Sequence, residues 1–212
     1  MKIDKNSMLL YAVTDRSWLN GDTLENQVET ALNNGVTFLQ LREKNIEFDE
    51  FVKLGKKIKT IADKTNVPFV INDNIDVAIA VDANGVHLGQ DDMPADKARE
   101  ILGDDKIIGI SVQTVHDALI AEKGGADYLG VGAVFSTSTK LDAADISFET
   151  LKEICNAVSI PVVAIGGINA NNILKLKGSG IDGVAVVSAI FAQKDIANAT
   201  KQLVNLCKEV VN

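Results

Sequence analysis

Four polar clusters carry residue types that could act on a charged small molecule: Gln40-Leu41-Arg42-Glu43-Lys44, Asn72-Asp73, Gln90-Asp91-Asp92 and Thr137-Ser138-Thr139-Lys140. Each stands where an apolar, strand-like run ends, so strands laid side by side would open all four onto one rim. In the first cluster, alternation puts Phe38, Gln40 and Arg42 on one face and Leu39 and Leu41 on the other. The leucines suit packing against helices. Gln40 and Arg42 then point inward near the rim, where a guanidinium requires an anionic partner. That partner is either a ligand or a neighbouring acid, in an Arg42–Glu43 or Arg42–Asp pair that merely closes the top. Asn72-Asp73 and Asp91-Asp92 follow consecutive strands, which lie roughly 4.8 Å apart. Their carboxylates can meet on one hard cation, and Mg²⁺ takes one or two carboxylates plus water and phosphate oxygens. Helix capping by Asp73, Asn74 or Asp92 is the competing use.

The hydroxyls of residues 136–139 and the Lys140 ammonium suit phosphate oxygens, although composition alone would equally give a solvated loop. Gly166-Gly167-Ile168-Asn169 and Val187-Ser188-Ala189-Ile190 follow the last two strand-like runs. Glycines let backbone approach a phosphate, and a short helix beginning near Ser188 would aim free N–H groups at it. Ser111 ends a fifth run and faces the same rim. Of the two histidines, His87 reads as a satisfied interior side chain and His116 as a surface residue opening a helix. Cys155 and Cys207 fall inside helix-like stretches without metal or redox spacing, and read as buried reduced thiols. No Gly-x-x-x-x-Gly-Lys, His-Glu-x-x-His or Gly-x-Gly-x-x-Gly motif opens a helix, which sets aside nucleoside triphosphatases, zinc hydrolases of that type and dinucleotide binding.

The elements that must position these groups are eight strand-like runs, at 9–15, 37–42, 68–73, 85–89, 107–112, 128–134, 161–167 and 183–188, alternating with helix-like stretches. The clearest helix carries an apolar stripe of Phe48, Phe51, Val52, Leu54, Ile58 and Ile61, with Lys53, Lys56, Lys57 and Lys59 on a solvated face. Parallel neighbours need crossovers, and eight βα units are the number that closes an α/β barrel of the (β/α)₈ or TIM type, against a doubly wound open sheet. Residues 125–131 and 180–186 loosely echo one another, as repeated units would. Catalytic groups of such barrels gather at the C-terminal ends of the strands, and their loops seven and eight commonly hold phosphate.

At 212 residues, with 46% hydrophobic and 24% charged residues, the chain reads as a single domain over 1–212. A formal charge of −8 disfavours nucleic-acid or anionic-membrane surfaces, so an anionic ligand needs a local cluster of donors or metal. The first residues lack a signal-peptide core and no run is long enough for a span, which gives a cytoplasmic expectation. A homo-oligomer is compatible with all of this.

Taken in order, the segments resemble the thiamine phosphate synthase family, a magnesium-dependent transferase of a pyrimidinylmethyl group. The resemblance runs from Tyr11-Ala12-Val13-Thr14-Asp15 to residues 185–190. Between them lie the four clusters, Gly85-Val86-His87-Leu88-Gly89, Gly125-Ala126-Asp127-Tyr128 and Ala164-Ile165-Gly166-Gly167-Ile168. It implies that Gln40, Leu41, Arg42, Glu43, Lys44, Asn72, Ser111 and Lys140 meet a pyrimidine diphosphate, with Arg42, Lys44, Lys140 and Ser111 catalytic. Asp73 and Asp92 would hold Mg²⁺. Thr137, Ser138, Thr139, Gly167, Val187 and Ser188 would hold a thiazole phosphate or its carboxylated form. The family often has Pro at the place of Ala133 and His at the place of Gln113, and the loop after Lys140 is short here. The alternatives are a thiazole tautomerase-like isomerase, which needs neither diphosphate nor metal, and a catalytically silent barrel that binds a phosphorylated ligand.

Overall fold

The computed structural model of the protein describes residues 3–136 and 146–211. Its eight strands are β1 (Leu10–Val13), β2 (Phe38–Leu41), β3 (Phe69–Asn72), β4 (Gly85–Leu88), β5 (Ile107–Val112), β6 (Tyr128–Val131), β7 (Val162–Ile165) and β8 (Gly183–Val186). All pair in parallel with their sequence neighbours, and β8 returns to β1, closing a barrel. The closed form, not the open sheet, is the architecture, and each expected run contains one strand.

Alternation decides what lies inside. Tyr11, Val13, Phe38, Val70, Ile107, Tyr128, Val163 and Ala185 fill the axis as one apolar cluster. Leu39, Leu41, Ile71, Val86, Leu88, Ile108 and Ile110 belong to a second, outer cluster beneath the helices. Three large rings, of Tyr11, Phe38 and Tyr128, share the axis because a neighbouring position is small. A Cβ on Gly109 would stand 2.1 Å from the Tyr128 ring, so only glycine leaves room for it.

The helices relevant here are α1 (Leu24–Asn33), α2 (Phe48–Thr65), α3 (Ile75–Ala80), α4 (Ala95–Leu102), α5 (Val115–Lys123), α6 (Phe148–Ala157), the short α7 (Ser188–Phe191) and α8 (Ile196–Val211). Thr23, Asn74, Thr114 and Ser147 cap α1, α3, α5 and α6 through side-chain oxygens. The apolar face of α2 is narrower than its sequence stripe. Phe51, Gly55, Ile58 and Ala62 are buried, while Phe48, in the first turn, remains 48% exposed. Gly55 belongs to that face because Val81 fills the space a Cβ would take. Two lysines of the opposite face sit in surface pairs, Lys57–Glu25 and Lys59–Asp63. Among the described residues no helix is long and apolar enough to cross a membrane.

The bottom of the barrel explains the weak internal echo. A side chain just before each even strand accepts the N–H at or near the start of the preceding odd strand. Leu10 N donates to Thr37 Oγ1 (2.9 Å), Phe69 N to Asn84 Oδ1 (2.9 Å), Ile108 N to Asp127 Oδ2 (2.8 Å) and Val162 N to Asp182 Oδ2 (2.9 Å). Asp127 also holds Arg99 at 2.6 Å, and the other guanidinium bonds of Arg99 go to the carbonyls of Gly103, Lys106 and Gly125. These side chains are spent on the scaffold, at the end opposite the polar clusters.

Candidate active site

Strand β2 stops at Leu41 and the chain turns at Asn45, which has φ +55°. Gln40 is buried on the inner face, and the Arg42 N–H donates to Thr14 Oγ1 at 3.0 Å, which fixes the departure of this loop. Leu41 is wholly buried in the outer layer, leaving only its backbone for a ligand. Glu43 is engaged by Arg16, not by Arg42. Both Nε (2.7 Å) and a terminal nitrogen (2.6 Å) of Arg16 reach the same oxygen, Oε2. Burial pushes the Glu43 carboxyl above the usual range against the pull of Arg16, and Oε1 is buried without a hydrogen-bond partner. Among the described residues, neither Arg42 nor Lys44 is held in an ion pair. Their charges remain available to an anion. A cavity of about 490 Å³ opens here, lined by Asp15, Arg16, Trp18, Arg42, Glu43 and Lys44.

Asp73 and Asp92 stand next to one another above β3 and β4. Neither serves as a helix cap. Asn74 Oδ1 accepts the Val77 N–H at 2.9 Å, while α4 begins after Pro94 with no side-chain cap. Asp92 Oδ2 instead accepts the Gly89 N–H at 2.6 Å, closing the turn after β4. Asp73 has φ +61°, a conformation that Asp and Asn tolerate better than most residues, and its N–H donates to the His87 carbonyl at 2.8 Å. Withdrawal of its carboxyl from water, then its hydrogen bond and charge contact with Asp92, push its pKa up to about 6; Asn72 and Arg42 pull it down. Two carboxyls crowded in this way suit a hard cation that completes its shell with water and ligand oxygens. Among the described residues no cluster of three or more metal-binding side chains occurs, so the pair itself is the protein's offering.

Across the mouth, Gly166 and Gly167 have φ +101° and +65°. A Cβ on Gly167 would lie 2.5 Å from the Ser136 carbonyl oxygen and 2.7 Å from that of Phe135, so a side chain here would displace the start of the sixth loop. Helix α7 begins at Ser188, as the sequence suggests, after Val187. A second cavity, of about 480 Å³, is lined by Ser136, Gly167, Ile168, Asn169, Ser188 and Gln193, among others. Two polar cavities therefore flank one barrel mouth. Thr137, Ser138, Thr139 and Lys140 lie outside the described residues.

Between the cavities, the axis is polar where sequence reading saw little. Ser111 Oγ lies 2.9 Å from His87 Nε2, and His87 Nδ1 lies 2.8 Å from the Tyr128 hydroxyl. The Tyr128 and Tyr11 hydroxyls are 2.8 Å apart, and Gln40 Nε2 donates to Tyr11 at 2.5 Å. Burial holds both tyrosine hydroxyls well above their ordinary pKa, so both stay protonated. Gln90 donates to the Ser111 carbonyl. His87 is a satisfied interior residue, as expected. Tyr11, Tyr128 and Arg16 were not singled out from sequence; the inward register of Tyr11 and Tyr128 was readable, but their meeting across the axis needs the closed barrel.

The chain matches the family model described as thiamine monophosphate synthase over residues 10–190. It is 53% identical over 200 residues to a thiamine-phosphate synthase of Clostridium tetani, covering 94% of this chain and 96% of that protein. It is 54% identical over 197 residues to that of Ruminiclostridium cellulolyticum, covering 93% and 94%. The solved thiamine phosphate pyrophosphorylase from Pyrococcus furiosus superimposes with a TM-score of 0.90 at 42% identity, covering 98% of this chain and 99% of that one. With its motifs, its barrel and its relatives in agreement, the chain belongs to the thiamine monophosphate synthase family.

Proposed function

We propose that the protein joins 4-amino-2-methyl-5-(diphosphooxymethyl)pyrimidine to 4-methyl-5-(2-phosphoethyl)thiazole, yielding thiamine phosphate and diphosphate. The observation that carries this reading is the crowded Asp73–Asp92 pair with Arg42 near it, Arg42 and Lys44 being in no ion pair among the described residues, together with a second cavity at the glycine turn and α7. The names of the relatives support the same activity.

The bond from the pyrimidine methylene carbon to the diphosphate oxygen breaks, and its electron pair leaves with diphosphate. The electron-rich aminopyrimidine stabilises the resulting cation. The thiazole nitrogen then donates its lone pair to that carbon. No general base is required, so the protein's work is charge stabilisation and alignment. Asp73 and Asp92 would hold Mg²⁺, which supplies Lewis-acid neutralisation of the leaving diphosphate. Arg42, Lys44 and Lys140 add positive charge to the leaving group, while Gln40, Asn72 and Ser111 orient the pyrimidine. Gly167, Val187 and Ser188 hold the thiazole phosphate, with Thr137, Ser138 and Thr139 as its further ligands.

Purified protein given both substrates and Mg²⁺ should form thiamine phosphate and diphosphate in equal amounts, and EDTA should stop both. Absence of coupling with thiazole phosphate still bound would replace this reading with a tautomerase or a silent binding barrel.

A further inference from the structure

Arg16 lines the cavity that Arg42 and Lys44 also line, and it comes from a loop outside the sequence motifs. Side chains hold that loop in place. Asp15 Oδ1 accepts the Ser17 N–H at 2.9 Å, closing the single turn Arg16–Trp18. From α1, the buried Gln27 side chain donates to the Trp18 carbonyl at 3.0 Å. Two bonds join the residue before the turn to the neighbouring loop: Thr14 N donates to the Gln40 carbonyl at 3.0 Å, and Arg42 N to Thr14 Oγ1 at 3.0 Å. Arg16 and Arg42 therefore reach one cavity from two loops in a fixed relation.

The contact with Glu43 sets how the guanidinium lies. Arg16 presents Nε and Nη2 to one carboxylate oxygen, Oε2, at 2.7 and 2.6 Å. Those two nitrogens form the side edge of the fork. Of the five N–H donors of a guanidinium, three are left, and two of them point in parallel from the end edge, one on each terminal nitrogen. Among the described residues no acceptor is bonded to that edge. Two parallel N–H groups match two oxygens of one phosphate.

Stability does not account for the pair. The Arg16 side chain is 46% exposed, and ion pairs of exposed cations add little. The Glu43 side chain is only 3% exposed, its Oε1 has no partner, and burial outweighs Arg16 in driving its carboxyl upward. A buried acid that gains so little from its partner is better explained by where it directs the guanidinium. The cavity carries three cations, Arg16, Arg42 and Lys44, against two acids, Asp15 and Glu43. Asp15 is turned to Ser17 and Glu43 to Arg16, so positive charge prevails where an anion would enter.

We propose that Arg16 is a further catalytic residue, which grips the diphosphate of the pyrimidine substrate through its end edge, and that Glu43 is the positioning residue that aims it. This rests on the synthase reading above. As the bond from the methylene carbon to the diphosphate oxygen breaks and its electron pair leaves with diphosphate, negative charge grows on that group and the Arg16 hydrogen bonds strengthen. Glu43 then serves the substrate through Arg16 and not by touching it.

Calorimetric titration of the full protein with inorganic diphosphate and Mg²⁺ isolates the contact, because it needs no turnover. Arg16→Gln should weaken diphosphate binding roughly tenfold to a hundredfold, as loss of hydrogen bonds to a charged group does, and leave thiazole phosphate binding within about twofold. In steady-state assays kcat/KM for the pyrimidine diphosphate should fall at least as far. The double variant Arg16→Gln/Glu43→Gln separates contact from neutralisation. It leaves no buried carboxylate unpaired at this position, so it should fold even if R16Q does not. Its diphosphate affinity should likewise stay about tenfold or more below wild type. Recovery to the wild-type value would show that Arg16 only neutralises Glu43 and would overturn the proposal, as would an R16Q protein that binds diphosphate like the wild type. In either case a wild type that still couples the two substrates keeps the synthase reading intact. A wild type that neither binds diphosphate with Mg²⁺ nor forms thiamine phosphate would overturn both.

Discussion

The neighbouring Asp92 carboxyl raises the pKa of Asp73, so two acids meet at the rim, and among the described residues no cation of the protein's own is paired with either. Such a contact is relieved by a divalent ion. Mg²⁺ should raise the melting temperature of the substrate-free protein by a few degrees, since a ligand that binds only the folded state stabilises it. Asp73→Asn tolerates the left-handed backbone, yet it should abolish this shift and lower kcat/KM about 100-fold or more. Scanning calorimetry with and without Mg²⁺, paired with steady-state assays, decides the matter; an undiminished shift in D73N would remove Asp73 from the metal site.

Asp127 is tied to stability and not to turnover. It accepts the Ile108 N–H and pairs with Arg99, and both ion-pair partners are largely buried. Asp127→Ala should cost about 3 kcal/mol, the range for stripping one member from a buried pair. At this chain length that lowers the melting temperature by roughly 6–12 °C. Activity per folded molecule at 25 °C should be unaltered, because the residue lies at the base of the barrel.

Gly167→Ala should weaken the thiazole side alone. The new methyl group would press on the Ser136 and Phe135 carbonyls at a positive φ. A rise of about tenfold or more in KM for thiazole phosphate is expected, with KM for the pyrimidine diphosphate within about twofold of wild type, a split corresponding to roughly 1.4 kcal/mol of lost binding. Matched increases in both constants would show that the turn shapes the whole mouth.

The thiols should be inert in the native state. Burial pushes Cys155 and Cys207 up to about 12, so at pH 8 almost no thiolate forms on either. Ellman's reagent should report almost no fast-reacting thiol in native protein and two in denaturant. Rapid native labelling of Cys155, the less buried of the two, would show that α6 opens locally.

How much of this was legible from the chain follows from the range of each interaction. The inward register of Gln40 and the outward turn of Leu39 and Leu41 depend only on period-two alternation, and the structure follows it. The cap of α3 is a local contact, so sequence narrowed it to Asp73 or Asn74; geometry gave it to Asn74 and left Asp73 to the rim. Nearness in sequence offered Arg42 as one possible partner of Glu43, whereas the loop after β1 brings in Arg16 from 27 residues away. The line from Tyr11 to Tyr128 spans 117 residues and exists only because β8 returns to β1 and closes the axis. Phe48 had the right period for burial, but it sits in the first turn of α2, beyond the edge of the packed face.

The four side-chain bonds at the base also act as proofreaders. Thr37, Asn84, Asp127 and Asp182 each find an N–H only if an even strand lies in correct alignment with the odd strand before it. A slip of β6 by one residue would take Asp127 from its amide and turn the Tyr128 ring out of the axis into the outer layer. Every βαβ quarter of the chain thus carries its own alignment mark, checkable as soon as its second strand arrives and before the barrel has closed.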